Sequence, residues 1–309
     1  MSLRLEMLQV ARLAPNQLGE SADLVKKFVH AQQNPDGGFK DRKGSSDLYY
    51  TVFGVDCLVA LQEKLDEERL ERFLQKWKVE DRKSQSSILN PQSSTENLDF
   101  IHLCCLARCW SVFPKTHWPE GIAEIIARQI EAYRTPDGGY NQTLGAGFGT
   151  TYGCFLAWGA YQDLQGAMPN TEGIARCLDS LRTRDGVYSN HPNMPEGTTT
   201  ATAAAATLLR QLGAPIPPEV APWLLARCHA DGGFFALPKA PMPDLLSTAT
   251  ALHALVGMQA DISRIKEPCL DFVDSLWTND GGFHGYWADD ALDVEYTYYG
   301  LLALGHLSL

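Results

Sequence analysis

The chain has 309 residues, 45% of them hydrophobic and 20% charged, the balance of a globular protein with a sizeable core. A formal charge of −11 gives an acidic surface that repels phosphate backbones, so nucleic acid is excluded as the expected partner. There is no apolar run of membrane-spanning length, and Met1 to Glu20 lacks the basic and apolar regions of a signal peptide; a cytoplasmic protein is expected.

Along the chain one motif recurs. It reads Asp36-Gly37-Gly38-Phe39, Asp137-Gly138-Gly139-Tyr140, Asp185-Gly186-Val187-Tyr188, Asp231-Gly232-Gly233-Phe234 and Asp280-Gly281-Gly282-Phe283. Successive aspartates differ by 101, 48, 46 and 49 positions. The first gap is double, so it hides a degenerate unit around Asp81 to Pro91, and the chain holds about six units.

Each unit reads as helix, Asp-Gly turn, polar loop, helix. The first helices are expected at 21–33, 67–78, 118–134, 171–183, 217–229 and 266–278. Apolar residues recur there at three and four, as in Ile122, Ile125, Ile126 and Ile130, and the other face is charged. Ser21 and Thr171 are expected N-caps. The second helices are expected at 48–62, 97–110, 150–162, 198–212, 245–258 and 294–307, apolar nearly all round, as in Ala203 to Ala206. A polar outer ring around an apolar inner ring predicts an all-α fold, an α/α toroid of six hairpins, with residues 1–309 as one domain.

The eight cysteines form no Cys-x-x-Cys pair and sit mostly in apolar helical stretches, so they read as buried thiols. In a closed ring the six inner N-termini gather at one end. They carry Asp47-Leu48-Tyr49-Tyr50-Thr51, Thr95-Glu96-Asn97-Leu98-Asp99, Gly149-Thr150-Thr151-Tyr152, Gly197-Thr198-Thr199-Thr200, Asp244-Leu245-Leu246-Ser247 and Asp293-Val294-Glu295-Tyr296-Thr297-Tyr298. Taken singly, each Asp or Thr is a helix cap and each aromatic is core. Taken together, they make an apolar pocket with a few polar groups, lined by Tyr49, Tyr50, Tyr152, Trp287, Tyr296 and Tyr298.

Gln33-Asn34-Pro35-Asp36-Gly37-Gly38-Phe39 resembles the repeat of triterpene cyclases and, more closely, that of protein prenyltransferase β-subunits. The resemblance spans nearly the whole chain and implies the toroid. It also implies a zinc site of Asp, Cys and His and a diphosphate site of His, Arg and Lys. Asp244 matches the family's Asp, but Leu246 stands for the Cys and Tyr296 for the His, so no family-type zinc is expected. Pro238 and Pro241 replace the Arg and Lys, leaving Lys239 as the nearby cation. Asp289-Asp290-Ala291-Leu292-Asp293 spells the Asp-Asp-x-x-Asp magnesium motif of other isoprenoid enzymes, but it falls in an acidic loop and reads first as solvated. No cofactor is expected, magnesium through Asp289, Asp290 and Asp293 being the weaker alternative.

Three functions follow from the resemblance. The first is a prenyltransferase-like protein holding an isoprenoid or its diphosphate, with a protein partner in place of the α-subunit. The second is a non-catalytic lipid- or peptide-binding module. The third is a single-domain terpenoid cyclase using Asp244 or Asp293 as acid.

Overall fold

In the computed structural model, residues 1–77 and 98–309 are described. The degenerate turn expected at Asp81 to Pro91, and Thr95, Glu96 and Asn97, lie outside the described residues. The elements in chain order begin with α1 (Leu3–Ala11), α2 (Pro15–Leu18), α3 (Ala22–Ala31), β1 (Phe39–Lys40), β2 (Ser46–Asp47), α4 (Leu48–Ala60), α5 (Glu67–Leu74), α6 (Phe100–Trp110) and α7 (Ile122–Glu131). They continue with α8 (Thr151–Asp163), α9 (Thr171–Ser180), α10 (Thr199–Leu212), α11 (Val220–Leu225), α12 (Leu245–Gly257), α13 (Ser263–Leu276) and α14 (Val294–Leu307).

The inner helices are α4, α6, α8, α10, α12 and α14. Each packs on the next, and α14 packs on α4, which closes the ring. Their N-caps are Asp47, Asp99, Thr150, Thr198, Asp244 and Asp293, each accepting a backbone N–H two or three residues on. The outer helices α3, α5, α7, α9, α11 and α13 are amphipathic and show water their charged faces. Two expected caps are corrected. Ser21 holds the N-cap position of α3 but makes no capping bond, because a short 3-10 turn leads into the helix. Asn170, not Thr171, caps α9, its side chain accepting from Gly173 N–H.

The repeated turn does two jobs. Its aromatic is buried on the inner ring: Phe39, Tyr140, Tyr188, Phe234 and Phe283 are all under 4% exposed. Phe39 and Phe283 lie over Gly54 of α4 and Gly300 of α14, where an added Cβ would strike the ring. The first glycine of each turn takes a positive φ, from +82° at Gly186 to +101° at Gly37.

That glycine also meets the next unit. A Cβ on Gly37 would strike the backbone carbonyl of Arg69 in α5, and one on Gly232 that of Pro268 in α13. A Cβ on Gly281 would strike Leu24 of α3, so the last turn packs on the first outer helix and the outer ring closes too. At Gly186 the nearest atom is the flexible Glu219 side chain, 3.4 Å away. Gly186→Ala is therefore expected to lower stability by roughly 1–2 kcal/mol, the strain of positive φ alone. Gly232→Ala should cost clearly more, because backbone must separate from backbone. Equal urea midpoints for the two variants would contradict this account.

The first helix was not anticipated from the sequence. It lies across the C-terminal ends of the inner helices as a plug. Leu3 N–H donates to Gln162 of α8, Arg4 pairs with Asp56 of α4 and Ser111 after α6, and Glu6 pairs with Arg210 of α10. His253 of α12 has Nε2 3.7 Å from Glu6, and Gly305 of α14 leaves room for the Val10 carbonyl. Among the described residues, no helix is long and apolar enough to cross a membrane.

Candidate functional site

The inner N-termini form an open rim, and the plugged end forms a floor. Between them lies a cavity of about 90 Å³. Its walls are aromatic: Tyr49 and Phe53 from α4, Tyr152 and Phe155 from α8, and Tyr298 and Tyr299 from α14. Cys104, Cys105 and Arg108 of α6, Ala160 and Asp163 of α8 and Met7 of α1 are also among the lining. The rings meet edge-on or tilted, with Tyr49 to Phe53 at 5.0 Å and Phe53 to Tyr299 at 5.6 Å. Larger open grooves of about 310 and 490 Å³ lie on the outer surface, away from the rim and the aromatic cluster.

Of the aromatics expected in the pocket, Tyr49, Tyr152 and Tyr298 line this cavity. The others lie elsewhere. Tyr50 and Tyr296 are half-buried near the rim, and the Arg42 guanidinium sits 5.5 Å from the Tyr296 ring centre. Trp287 faces the outer layer instead: it is 48% exposed, packs on Phe272 of α13 and donates its indole N–H to Ser275. Lys239 is exposed in the loop before α12 and makes no hydrogen bond or ion pair with the described residues. Neither Trp287 nor Lys239 reaches the cavity.

The candidate acids are held by other bonds. Asp293 caps α14 with one oxygen and accepts Arg42 Nε at 2.8 Å with the other. Asp244 accepts Ser247 N–H at 2.7 Å and the Ser247 hydroxyl at 2.8 Å; burial raises its pKa against those bonds. Neither aspartate lines the cavity. The Asp-Asp-x-x-Asp loop holds a guanidinium, since Arg42 pairs with Asp289 at 3.0 Å as well as with Asp293, while Asp290 points to solvent. Magnesium there would have to displace Arg42. Among the described residues no three or more His, Cys, Asp or Glu side chains are grouped to hold a metal.

Several functional-looking residues escaped the sequence reading. Glu295 follows the Asp293 cap and accepts the Tyr49 hydroxyl at 2.6 Å. Burial raises its pKa, which makes it a protonatable carboxyl touching the cavity wall. His102 stands between Asp47 at 3.2 Å and Asp99 at 2.8 Å. The hydrogen bond to Asp47 is the main reason its pKa is raised to about 9. A group raised on folding stabilises while the folded form holds the extra proton. This contribution is complete below the unfolded value of about 6.5 and is lost as pH rises through about 9. An NMR titration is expected to find the His102 midpoint near 9; a midpoint near 6.5 would remove the rim ion pairs from this account.

At the floor, Arg4 binds Asp56 at 2.8 Å and Arg108 binds Asp163 at 3.1 Å. These four charges sit in or beside helices that are otherwise apolar. The isolated Asp56, Arg108 and Asp163 were the signal that could have revealed them.

Six inner and six outer helices closed around an aromatic cavity define an α/α toroid among the described residues. The sequence matches the prenyltransferase alpha-alpha toroid domain over residues 4–163 and 201–308, and the chain belongs to that family. A search of curated proteins finds no match. Among solved structures the chain is similar to a type II terpene cyclase from Scytonema in complex with merosterolic acid A, with TM-score 0.64, 15% identity and 95% and 97% of the two chains covered. It is also similar to a protein from Actinoplanes (TM-score 0.63, 13% identity, 94% and 99% covered). A third likeness is to a glycosyl hydrolase family 88 protein from Bacteroides vulgatus (TM-score 0.60, 13% identity, 95% and 98% covered). At such identities the likeness is one of fold.

Proposed function

We propose that this protein binds an isoprenoid chain in its barrel cavity. The aromatic lining carries the reading: Tyr49, Phe53, Tyr152, Phe155, Tyr298 and Tyr299 offer ring faces and edges to branched, unsaturated hydrocarbon. The family supports it, as does the Scytonema cyclase, which has also been solved with a geranylgeranyl dihydroxybenzoate substrate. The rim does not favour a diphosphate. Among the described residues, the two cations bound to the cap carboxylates, Arg42 and His102, are each already held by two carboxylates. A prenyl chain without diphosphate is therefore the preferred ligand.

The cavity of about 90 Å³ is well below the roughly 300–1,000 Å³ of ligand pockets, so a long chain enters as Met7 and the tyrosines give way. The test is equilibrium binding of radiolabelled farnesol and farnesyl diphosphate, with and without magnesium. Binding of farnesol that is lost in the cavity-filling variant Ala160→Phe supports the proposal. Absence of binding by either ligand sinks it.

One observation favours a catalytic version. Glu295 is a carboxyl kept protonatable by burial, against the cavity wall at Tyr49, and it replaces Asp244 and Asp293 as the candidate acid for cyclisation. A cyclised product that disappears in Glu295→Gln would establish that version. Binding without turnover would leave the protein a carrier module.

A further inference from the structure

We infer that the closed end of the barrel is a subsite for oxygen, in which Arg108 holds the polar end of an uncharged prenyl alcohol, ketone or ether. This rests on the proposal that the barrel binds isoprenoids. The guanidinium is the main observation. Its Nε donates to Asp163 at 3.1 Å, but its two terminal nitrogens have no hydrogen-bond partner among the described residues. The Arg108 side chain, deep among the inner helices, keeps 21% of its surface accessible, whereas Arg4, Asp56 and Asp163 keep 7%, 2% and 5%. That accessible surface belongs to a residue of the cavity lining.

The neighbours fit the same role. Gly159 of α8 makes room, since a Cβ there would stand 3.1 Å from the Arg108 Nη2. Tyr152, Tyr298 and Tyr299 line the same cavity, and their hydroxyls also lack partners among the described residues. A cavity that presents two unpaired guanidinium nitrogens and phenol hydroxyls, and whose one lining carboxylate, Asp163, is already bound to Arg108 Nε, is complementary to oxygen, because buried donors left dry are costly. A wholly hydrocarbon end would leave them dry.

Charge then selects among oxygen groups. Arg4, Asp56, Arg108 and Asp163 already sum to zero. A carboxylate or phosphate would bring an unbalanced charge into this interior, while a hydroxyl, carbonyl or ether would not. The ligand would thus sit with its oxygen at the floor and its hydrocarbon toward the rim.

The experiment is calorimetric binding to the full chain of geraniol, of 2,6-dimethyl-2,6-octadiene, which lacks the oxygen, and of geranic acid. Geraniol is expected to bind at least about tenfold more tightly than the other two. In the paired variant Arg108→Met with Asp163→Leu, which strands no charge, geraniol and the hydrocarbon should bind alike. Arg108→Lys, which keeps the partner of Asp163, serves if the paired variant does not fold, and should also lose most of the preference. Equal binding of geraniol and hydrocarbon to the native protein, tightest binding of the acid, or a preference that survives in the folded variants would overturn the subsite while leaving isoprenoid binding intact. Failure of all three ligands, with farnesol also unbound, would overturn the isoprenoid proposal and this inference with it.

Discussion

Replacing Arg4 with Leu is expected to lower the unfolding free energy by roughly 3–5 kcal/mol, the usual cost of stranding one member of a buried ion pair. Asp56 is 2% exposed and has Arg4 as its ion-pair partner, through Nε at 2.9 Å and Nη2 at 2.8 Å. Without the guanidinium, its carboxylate must stay charged in an apolar setting or take up a proton. Removing both partners is a different case. Arg4→Leu with Asp56→Leu deletes the charge along with its counter-charge, so the double variant should recover most of the loss. Urea denaturation of the native protein, both single variants and the double variant completes the cycle. If the losses simply add, the two side chains are not coupled. Because Arg4 belongs to the plug, the single variant should also speed hydrogen exchange in α1 relative to α4.

The second large effect is a loss of stability in mild acid. His253 of α12 and His306 of α14 are 5% and 2% exposed, and their rings face each other with Nδ1 of one 3.0 Å from Nε2 of the other. Burial pushes both pKa values down; for His253 the Glu6 carboxylate acts the other way, and Arg210 reinforces the depression. In the unfolded chain both imidazoles titrate near 6.5. As pH falls below about 6.5, the unfolded chain therefore takes up protons that the folded chain refuses, and stability falls. The slope reaches up to about 1.4 kcal/mol per pH unit for each imidazole.

Carboxyls raised by burial, at Asp163, Asp244 and Glu295, tilt the opposite way, since the folded form binds their protons more readily. The clean measurement is therefore a difference: unfolding free energy from pH 7 to 5 for the native chain against a His253→Met, His306→Met double variant. The variant should show a shallower acid loss. Identical slopes would mean that the pair plays no part in acid sensitivity.

Most of the scaffold was legible in the residues. A helix signals itself through local periodicity, and a turn through glycine, so the hairpins of the described residues could be placed from spacing alone, with the ends of α4, α8, α10, α12 and α14 within about two residues and those of the outer helices within about four. The caps Asp47, Asp244 and Asp293 were legible for the same reason: a cap bonds to backbone two or three residues away. Thr171 failed by one position because neighbouring Asn170 is also a good cap and tolerates the left-handed backbone it adopts, at φ +59°.

The site was only partly legible. Tyr49 and Tyr298 could be assigned to the interior because they lie on helices that are apolar all round. Trp287 could not, because it lies in a loop, where no period says which way a side chain turns. Asp293 is legible as a cap, but the ion pair that occupies its second oxygen is not, because its partner, Arg42, is 251 residues away in sequence. Arg42 and Asp293 meet only because the ring closes.

The Asp-Gly turn is thus where sequence and tertiary structure divide. By itself the sequence determined the hairpin, its repetition and the two layers, since these follow from backbone conformation and from the side on which apolar residues fall. Tertiary structure alone decided that Gly281 meets Leu24, that α1 plugs one end, that Arg42 occupies the acidic loop and that Arg108 opens onto the cavity. Those are contacts between units far apart in the chain, and neither periodicity nor propensity, being local, carries information about them.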